Sequence, residues 1–201
     1  MTPEEFGAAT RVSRETLDRF RLYAALLTKW QRAVNLIGKS TAADIWERHF
    51  LDSAQLYPHL SERPGLIDFG SGAGFPGAVL ALLGAQDVHL VESDSRKCAF
   101  LRELDRQLGL GMTIHEARID HLTPWKASSL TARALASLPK LLDMAEEFLA
   151  PETVILFPKG ETVDQELTEA SKGWNMTVSR LASRTSPTSV ILRLTRVERK
   201  K

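Results

Sequence analysis

Cysteine is almost missing from this chain of 201 residues. The single Cys98 excludes an internal disulfide and cannot build a thiolate metal site, so no metal is expected. No apolar run approaches the roughly 18 residues that a membrane-spanning helix needs. The opening MTPEEFGAATRVSRE carries acids early and no apolar stretch, which argues against a secretory signal and makes the cytoplasm the expected location. Internal repeats and low-complexity segments are also lacking. Net charge is only +1, so bulk charge gives no sign of a nucleic-acid partner. What is present, 43% hydrophobic and 25% charged residues, suits one globular domain with its own core.

The charge is unevenly spread. Lys172, Arg180, Arg184, Arg193, Arg196, Arg199, Lys200 and Lys201 stand against a single acid, Glu198, after residue 170. The preceding 170 residues are net acidic. A basic end can meet phosphates or can simply be a solvated tail, and charge alone does not choose between them.

Apolar residues at Leu17, Phe20, Tyr23, Ala24, Leu27, Trp30 and Val34 form the stripe of a helix beginning near Ser13. A break at Asn35-Leu36-Ile37-Gly38 precedes a second helix. Thr41 and Asp44 resemble its capping box, and it is expected to run to about Leu60. From Leu66 the pattern alternates strand and helix. Strands are predicted at 66–69, 88–92, 112–115, 131–134 and 153–157, the last suited to the sheet centre. Helices are predicted at 76–83, 95–108, 138–149 and 162–171. Two further strands, 176–180 and 190–197, have no helix between them and read as an antiparallel hairpin. The fold class is therefore α/β, a doubly wound, Rossmann-like sheet of seven strands, mostly parallel with an antiparallel C-terminal edge. An N-terminal helical cap over residues 1–62 would pack on a main domain over 63–201.

The most informative stretch is Asp68-Phe69-Gly70-Ser71-Gly72-Ala73-Gly74-Phe75-Pro76-Gly77. Glycines at 70, 72 and 74 allow a tight turn at a strand's end and close approach of backbone to a ligand. The helix after Pro76 aims its free N–H groups the same way. Glu92 ends the next strand, where a carboxylate can accept from two ribose hydroxyls. Gly72-x-Gly74-x-x-Gly77 also satisfies the dinucleotide fingerprint, so a nicotinamide-dependent oxidoreductase is one reading. S-adenosylmethionine is the other. It has an ammonium and a sulfonium but no phosphate, and Asp68 and Glu92 would favour such a cation while repelling a pyrophosphate.

These residues resemble the family of ribosomal RNA small subunit methyltransferase G, also called glucose-inhibited division protein B. The resemblance runs from about Leu27 to the end. It is carried by Asn35–Gly38, Arg48-His49-Phe50-Leu51-Asp52-Ser53, the GSGAGFPG turn, Val91-Glu92-Ser93, Arg96-Lys97 and Phe100-Leu101. Ala117-Arg118, Thr131-Ala132-Arg133-Ala134 and Phe157-Pro158-Lys159-Gly160 extend it. Many members have Lys-Arg in place of Arg96-Lys97 and Ala-Glu in place of Ala117-Arg118. The resemblance implies S-adenosyl-L-methionine as cofactor and N7 of one guanine in a 16S rRNA loop as target, within free rRNA or the small ribosomal subunit. It implies that Gly70, Gly72 and Gly74 cradle the methionine part and that Phe75 packs beside it, with Asp68 counted among the cofactor-binding residues. Glu92 would hold the ribose and Ala117 with Arg118 the adenine. Arg133 would face both cofactor and guanine as the catalytic residue.

Guanine N7 carries a lone pair and no proton, so its methylation needs alignment rather than a general base. Cytosine-C5 enzymes need a cysteine nucleophile, whereas Cys98 sits mid-helix among apolar neighbours and reads as a packed small hydrophobe. Exocyclic-amine enzymes commonly show an Asp/Asn-Pro-Pro-aromatic loop where Arg133-Ala134-Leu135-Ala136 stands. Arg133 could grip guanine O6 or a phosphate, or could pair with Asp68 or Glu92 and only shape the pocket. Arg48 and His49 would contact RNA or place the cap, unless they form a structural pair with Asp52 or Glu47. Lys159 and Arg184 are candidate phosphate contacts, with a solvated loop lysine the alternative for Lys159. The four tryptophans read as core. A small-molecule methyltransferase and a non-catalytic rRNA-binding assembly factor remain alternative functions.

Overall fold

The computed structural model describes residues 1–38 and 41–201. At the N-terminus the Thr2 hydroxyl accepts from Glu5 N–H while the Glu5 carboxylate accepts from Thr2 N–H. This reciprocal cap, with Pro3 in the first turn, starts a short α1, Pro3–Thr10, ahead of the expected helix. Ser13 caps α2, Arg14–Trp30, through Thr16 N–H. The stripe on α2 is buried at Phe20, Tyr23 and Leu27, as its spacing requires.

The second helix differs from expectation. Thr41 makes no side-chain cap. A 3-10 turn, Ala42–Asp44, leads into a π-wound segment, Trp46–Leu51, and then a single α-turn, α3, Asp52–Ala54. Tyr57–His59 is another 3-10 turn. The wide winding sends Asp52 N–H back five residues to Glu47 O. The Thr41 hydroxyl donates instead to Gly38 O. Periodicity near 3.6 cannot distinguish these windings over so few residues.

The sheet follows the sequence closely. Its strands are β1 (Leu66–Phe69), β2 (Val88–Glu92), β3 (Thr113–Glu116), β4 (Ala127–Ala132), β5 (Leu149–Lys159), β6 (Trp174–Ala182) and β7 (Val190–Arg199). They lie in the order β3-β2-β1-β4-β5-β7-β6. The first five are parallel; β7 runs antiparallel to both β5 and β6. β4 begins earlier than the apolar Thr131–Ala134 suggests, because Ala127 and Ser129 also pair with β5. Arg133 thereby falls one residue beyond the strand. β5 is interior, between β4 and β7, although β4 is the middle strand.

Helices α4 (Gly77–Leu82) and α5 (Ser95–Leu108) cover one face with the N-terminal segments, while α6 (Leu138–Ala145) and α7 (Val163–Gly173) cover the other. Alternation along β1 divides the core: Leu66 packs with the first group, Ile67 and Phe69 with the second. The expected Gly109 closes α5 in the left-handed region at φ 58°. Strand order reverses between β1 and β4, so the crevice for a ligand opens beyond Phe69 and Ala132. No described helix is long and apolar enough to cross a membrane.

Candidate active site

Two clefts open at that reversal, and Arg133 and Ala134 belong to the walls of both. The first, about 530 Å³, is lined by Gly70 and Gly72 of the turn, by Glu92 and Ser93, and by Ala117, Arg118, Ile119 and Asp120 beyond β3. Leu135, Lys140 and Met144 close it from the α6 side. The second, about 520 Å³, lies between the π-wound segment and the ends of β4, β5 and β7. Arg48, His49, Asp52, Lys159, Ser183 and Thr185 face it.

Two acids line the first cleft, Glu92 at the end of β2 and Asp120, which is paired with Arg118; Glu92 is the one bound to the glycine turn. Its Oε2 accepts Gly72 N–H at 2.9 Å, and Oε1 accepts Ser93 and Asp94 N–H, each at 2.8 Å. Three of about four acceptor positions on a carboxylate are thus filled by backbone. Glu92 therefore ties the strand end to the glycine turn before any ligand is considered.

Asp68 does not border this cleft, contrary to expectation. It is fully buried under the turn, where Oδ2 accepts Gly77 N–H at 3.1 Å and Oδ1 accepts the Thr131 hydroxyl at 2.8 Å. Burial pushes its carboxyl up to about 6, despite these hydrogen bonds and the charge of Arg133. Its role is to hold the start of α4 against β1, and repulsion of a phosphate cannot be credited to it directly. Between pH 4 and 6 the unfolded chain has already released this proton while the folded chain retains it, so Asp68's contribution to stability falls as pH rises. Wild type should lose on the order of 2–3 kcal/mol relative to Asp68→Asn across that window. Urea titrations of both proteins at several pH values check this; a constant difference would show that the acid is not shifted.

Gly74 and Phe75 also face away from the first cleft. Gly74 has φ 91°, and a Cβ there would overlap the Tyr23 hydroxyl and Ala78. Gly74→Ala should cost about 2–4 kcal/mol from backbone strain and overpacking together, read as a lowered urea midpoint. Phe75 lies between the Tyr23 ring, stacked at 5.5 Å, and the His49 ring at 4.9 Å. Tyr23 in turn donates to Ala73 O. The turn is thus clamped to α2 and to the π-wound segment by aromatic packing.

Arg133 meets neither Asp68 nor Glu92. Its Nη1 donates to Asp52 Oδ2 at 3.2 Å and to Arg48 O at 3.1 Å, and its Nη2 lies 2.7 Å from His49 Nδ1. The guanidinium carbon stands 5.1 Å over the Phe75 ring. Asp52 is further held by the Thr185 hydroxyl at 2.7 Å. Burial, then the charges of Arg133 and Arg48, lower His49 to about 4. Asp52 is the member of this cluster that the sequence offered only as a structural partner, although it sits in the Arg48–Ser53 string.

The other expected RNA contacts are placed differently. Arg48 is exposed at the second cleft. Lys159 is neither solvated nor free: Nζ bonds Ala136 O and pairs with Glu166 at 2.7 Å, with 8% of its side chain exposed. Burial of Glu166 opposes its charge, but Lys159, Leu138 N–H and Thr162 outweigh it and lower its carboxyl. Ser183 and Thr185 line the second cleft, yet the Arg184 guanidinium turns to Ala9 O on α1. Ala117 and Arg118 do border the first cleft, with Arg118 paired to Asp120. Cys98 is buried beneath Glu92 O, and burial with neighbouring acids pushes its thiol up to about 11.

The family model described as GidB, rRNA small subunit methyltransferase G, matches residues 16–189. The chain belongs to this family. The relative named Ribosomal RNA small subunit methyltransferase G from Rhodospirillum centenum is 52% identical over 194 residues, covering 96% of this chain and 90% of that one. The protein of the same name from Paramagnetospirillum magneticum is 52% identical over 200 residues, covering 99% and 98%. Among solved structures, the glycopeptide N-methyltransferase MtfA complexed with S-adenosyl-L-methionine shares the fold. Its TM-score is 0.61 at 11% identity, over 73% of this chain and 93% of that one.

The first cleft fits the cofactor of a methyltransferase. Bare backbone at Gly70 and Gly72, the Glu92 carboxylate and the apolar faces of Ile119, Leu135 and Met144 suit an amino acid, a ribose and an adenine in turn. Leu135 lies directly over Gly70, where a Cβ would strike its side chain. Lys140 and Met144 were not legible as site residues, since α6 follows the pattern of any covering helix, and Leu135 lies in the loop before it with no motif to mark it.

Proposed function

We propose that this protein transfers a methyl group from S-adenosyl-L-methionine to N7 of one guanine in a 16S rRNA loop. The observation that carries this reading is the shared wall: Arg133 and Ala134 separate a cofactor-sized cleft at Glu92 from a second cleft large enough for a base. S-adenosylmethionine supplies an electrophilic methyl group on a sulfonium. The chain has to orient the base in line with it and keep the cofactor in register. Glu92 would take the ribose hydroxyls, sharing or yielding its bond to Gly72 N–H, while Ala117 and Arg118 would border the adenine. From the wall, Arg133 would reach guanine O6 by moving out of its cluster or by lending an unused N–H.

N7 chemistry suits the groups that border the base cleft. His49 is held neutral at physiological pH, Asp52 accepts from Arg133 and Thr185, and no proton has to leave the base. Arg48 at the rim is an exposed phosphate contact in this reading, and Lys159 and Arg184 would serve only after leaving their present partners. The small ribosomal subunit or its free rRNA is the partner, in the cytoplasm. Labelled S-adenosylmethionine, incubated with small subunits or with naked 16S rRNA, should mark one guanine, located by mass spectrometry of the digested RNA. Transfer to neither substrate would overturn the proposal, and a product methylated at another atom would overturn its N7 assignment.

A further inference from the structure

The cluster around Arg133 contains a hydrogen-bond chain whose direction can be worked out. The Thr41 hydroxyl proton is donated to Gly38 O at 3.0 Å. Thr41 Oγ1 is then left as an acceptor, and His49 Nε2 lies 2.9 Å from it. Nε2 therefore carries the ring proton. His49 Nδ1 is bare and faces Arg133 Nη2 at 2.7 Å, where an acceptor is required because a guanidinium only donates. The same ring packs on Phe75, over which Arg133 also stands, so its plane is fixed by the glycine turn.

We propose that His49 is a positioning residue for methyl transfer: as its Nε2–H tautomer, it holds the Arg133 guanidinium on the wall between the two clefts. The inference rests on the reading of Arg133 as the residue that meets the base. His49 exchanges no proton in the reaction. Burial and the adjacent cations keep the ring neutral, so the acceptor at Nδ1 persists across the working pH range. Asp52 and Arg48 O hold Nη1, and His49 holds Nη2. Together they fix the fork in its plane, which neither site alone could do.

The variants His49→Leu, His49→Asn and Arg133→Ala separate this role from plain packing. Leucine fills much of the ring's space without an acceptor, whereas asparagine places Oδ1 near the position of Nδ1. Single-turnover methylation of small subunits should fall roughly 10- to 100-fold in His49→Leu, as expected for one lost hydrogen bond to a charged group. Affinity for S-adenosylmethionine by calorimetry should stay within about threefold, and His49→Asn should recover most of the rate. Combining His49→Leu with Arg133→Ala should add nothing to the loss from Arg133→Ala alone. A purely packing role would reverse the order, with leucine tolerated and asparagine impaired, and that result would overturn the inference. Wild-type turnover by Arg133→Ala would instead overturn the reading of Arg133. Should His49→Leu fail to fold, nitrogen NMR of the unaltered protein decides: protonated Nε2 with bare Nδ1 supports the assignment, and the opposite tautomer rejects it.

Discussion

Glu92→Ala should weaken binding of S-adenosylmethionine by at least about 100-fold, which calorimetry on the folded variant would measure directly. Two effects add in the same direction. Hydrogen bonds from ribose hydroxyls to a carboxylate are each worth roughly 1.5–3 kcal/mol. The variant also frees the N–H groups of Gly72, Ser93 and Asp94, so the turn loses the anchor that sets its shape. Glu92→Gln separates the two effects only partly. Its amide donor must face either Gly72, losing one backbone bond, or the Ser93–Asp94 pair, losing two, so the first orientation is favoured and one bond is still lost. It should bind the cofactor more weakly than wild type and better than Glu92→Ala. Because the carboxylate borders an open cleft, water can replace it on the freed N–H groups, and the loss of folding stability should be smaller than the loss of affinity. Unchanged binding by Glu92→Ala would remove the cofactor assignment of the first cleft.

The sheet was legible because its signals are local and repeated. Short apolar runs such as Leu66–Phe69 and Val88–Glu92, and a helix ended by Gly109, define the boundaries within a few residues. The final hairpin was legible from the lack of a helix between two strands. The N-terminal region was not, because a π-wound turn and two 3-10 turns carry no period that distinguishes them from an α-helix over residues 41–60. At the site, Glu92 was readable from its place at the end of β2. Asp68 was misplaced for a physical reason. Its position in the β1 alternation turns it inward to α4, so a carboxylate that looks like a ligand contact from its spacing is a buried anchor. Lys159 and Arg184 show the same limit, since sequence gives a cation but not the partner that occupies it.

Charge segregation has a similar explanation. Three of the basic residues after position 170 pair with acids from earlier in the chain: Lys172 with Glu169, Arg180 with Asp164, and Arg199 with Asp143 and Glu146. Arg199 also lies 4.5 Å over the ring of buried Trp174. Such exposed pairs contribute about 0–1 kcal/mol each, so they are weak as supports. Their consequence is for recognition. They offset part of the positive charge that the sequence concentrates after residue 170. In the proposed RNA reading the phosphate contact therefore falls to Arg48, exposed at the rim of the second cleft, rather than to those paired residues.

Arg133→Ala should lower methyl transfer by roughly 100- to 1,000-fold, the range seen when one preorganised donor is removed from a reacting centre. Folding should not be wholly spared. Asp52 Oδ2, Arg48 O and His49 Nδ1 would all lose their donor, and Phe75 would lose its cation. With about a fifth of the Asp52 and Arg133 side chains exposed, solvent softens that penalty, and a loss of about 1–3 kcal/mol is expected in urea unfolding. Rates must therefore be compared at temperatures where both proteins are folded. Arg133→Lys makes the sharper test of geometry. An ammonium can pair with Asp52, but it cannot also present a planar fork to His49 and Arg48 O, so charge would return without orientation. If orientation matters, the lysine variant should recover stability while remaining at least tenfold slow. Recovery of both would mean that a positive charge on the shared wall is sufficient, and wild-type turnover in the alanine variant would leave Arg133 with no part in the chemistry.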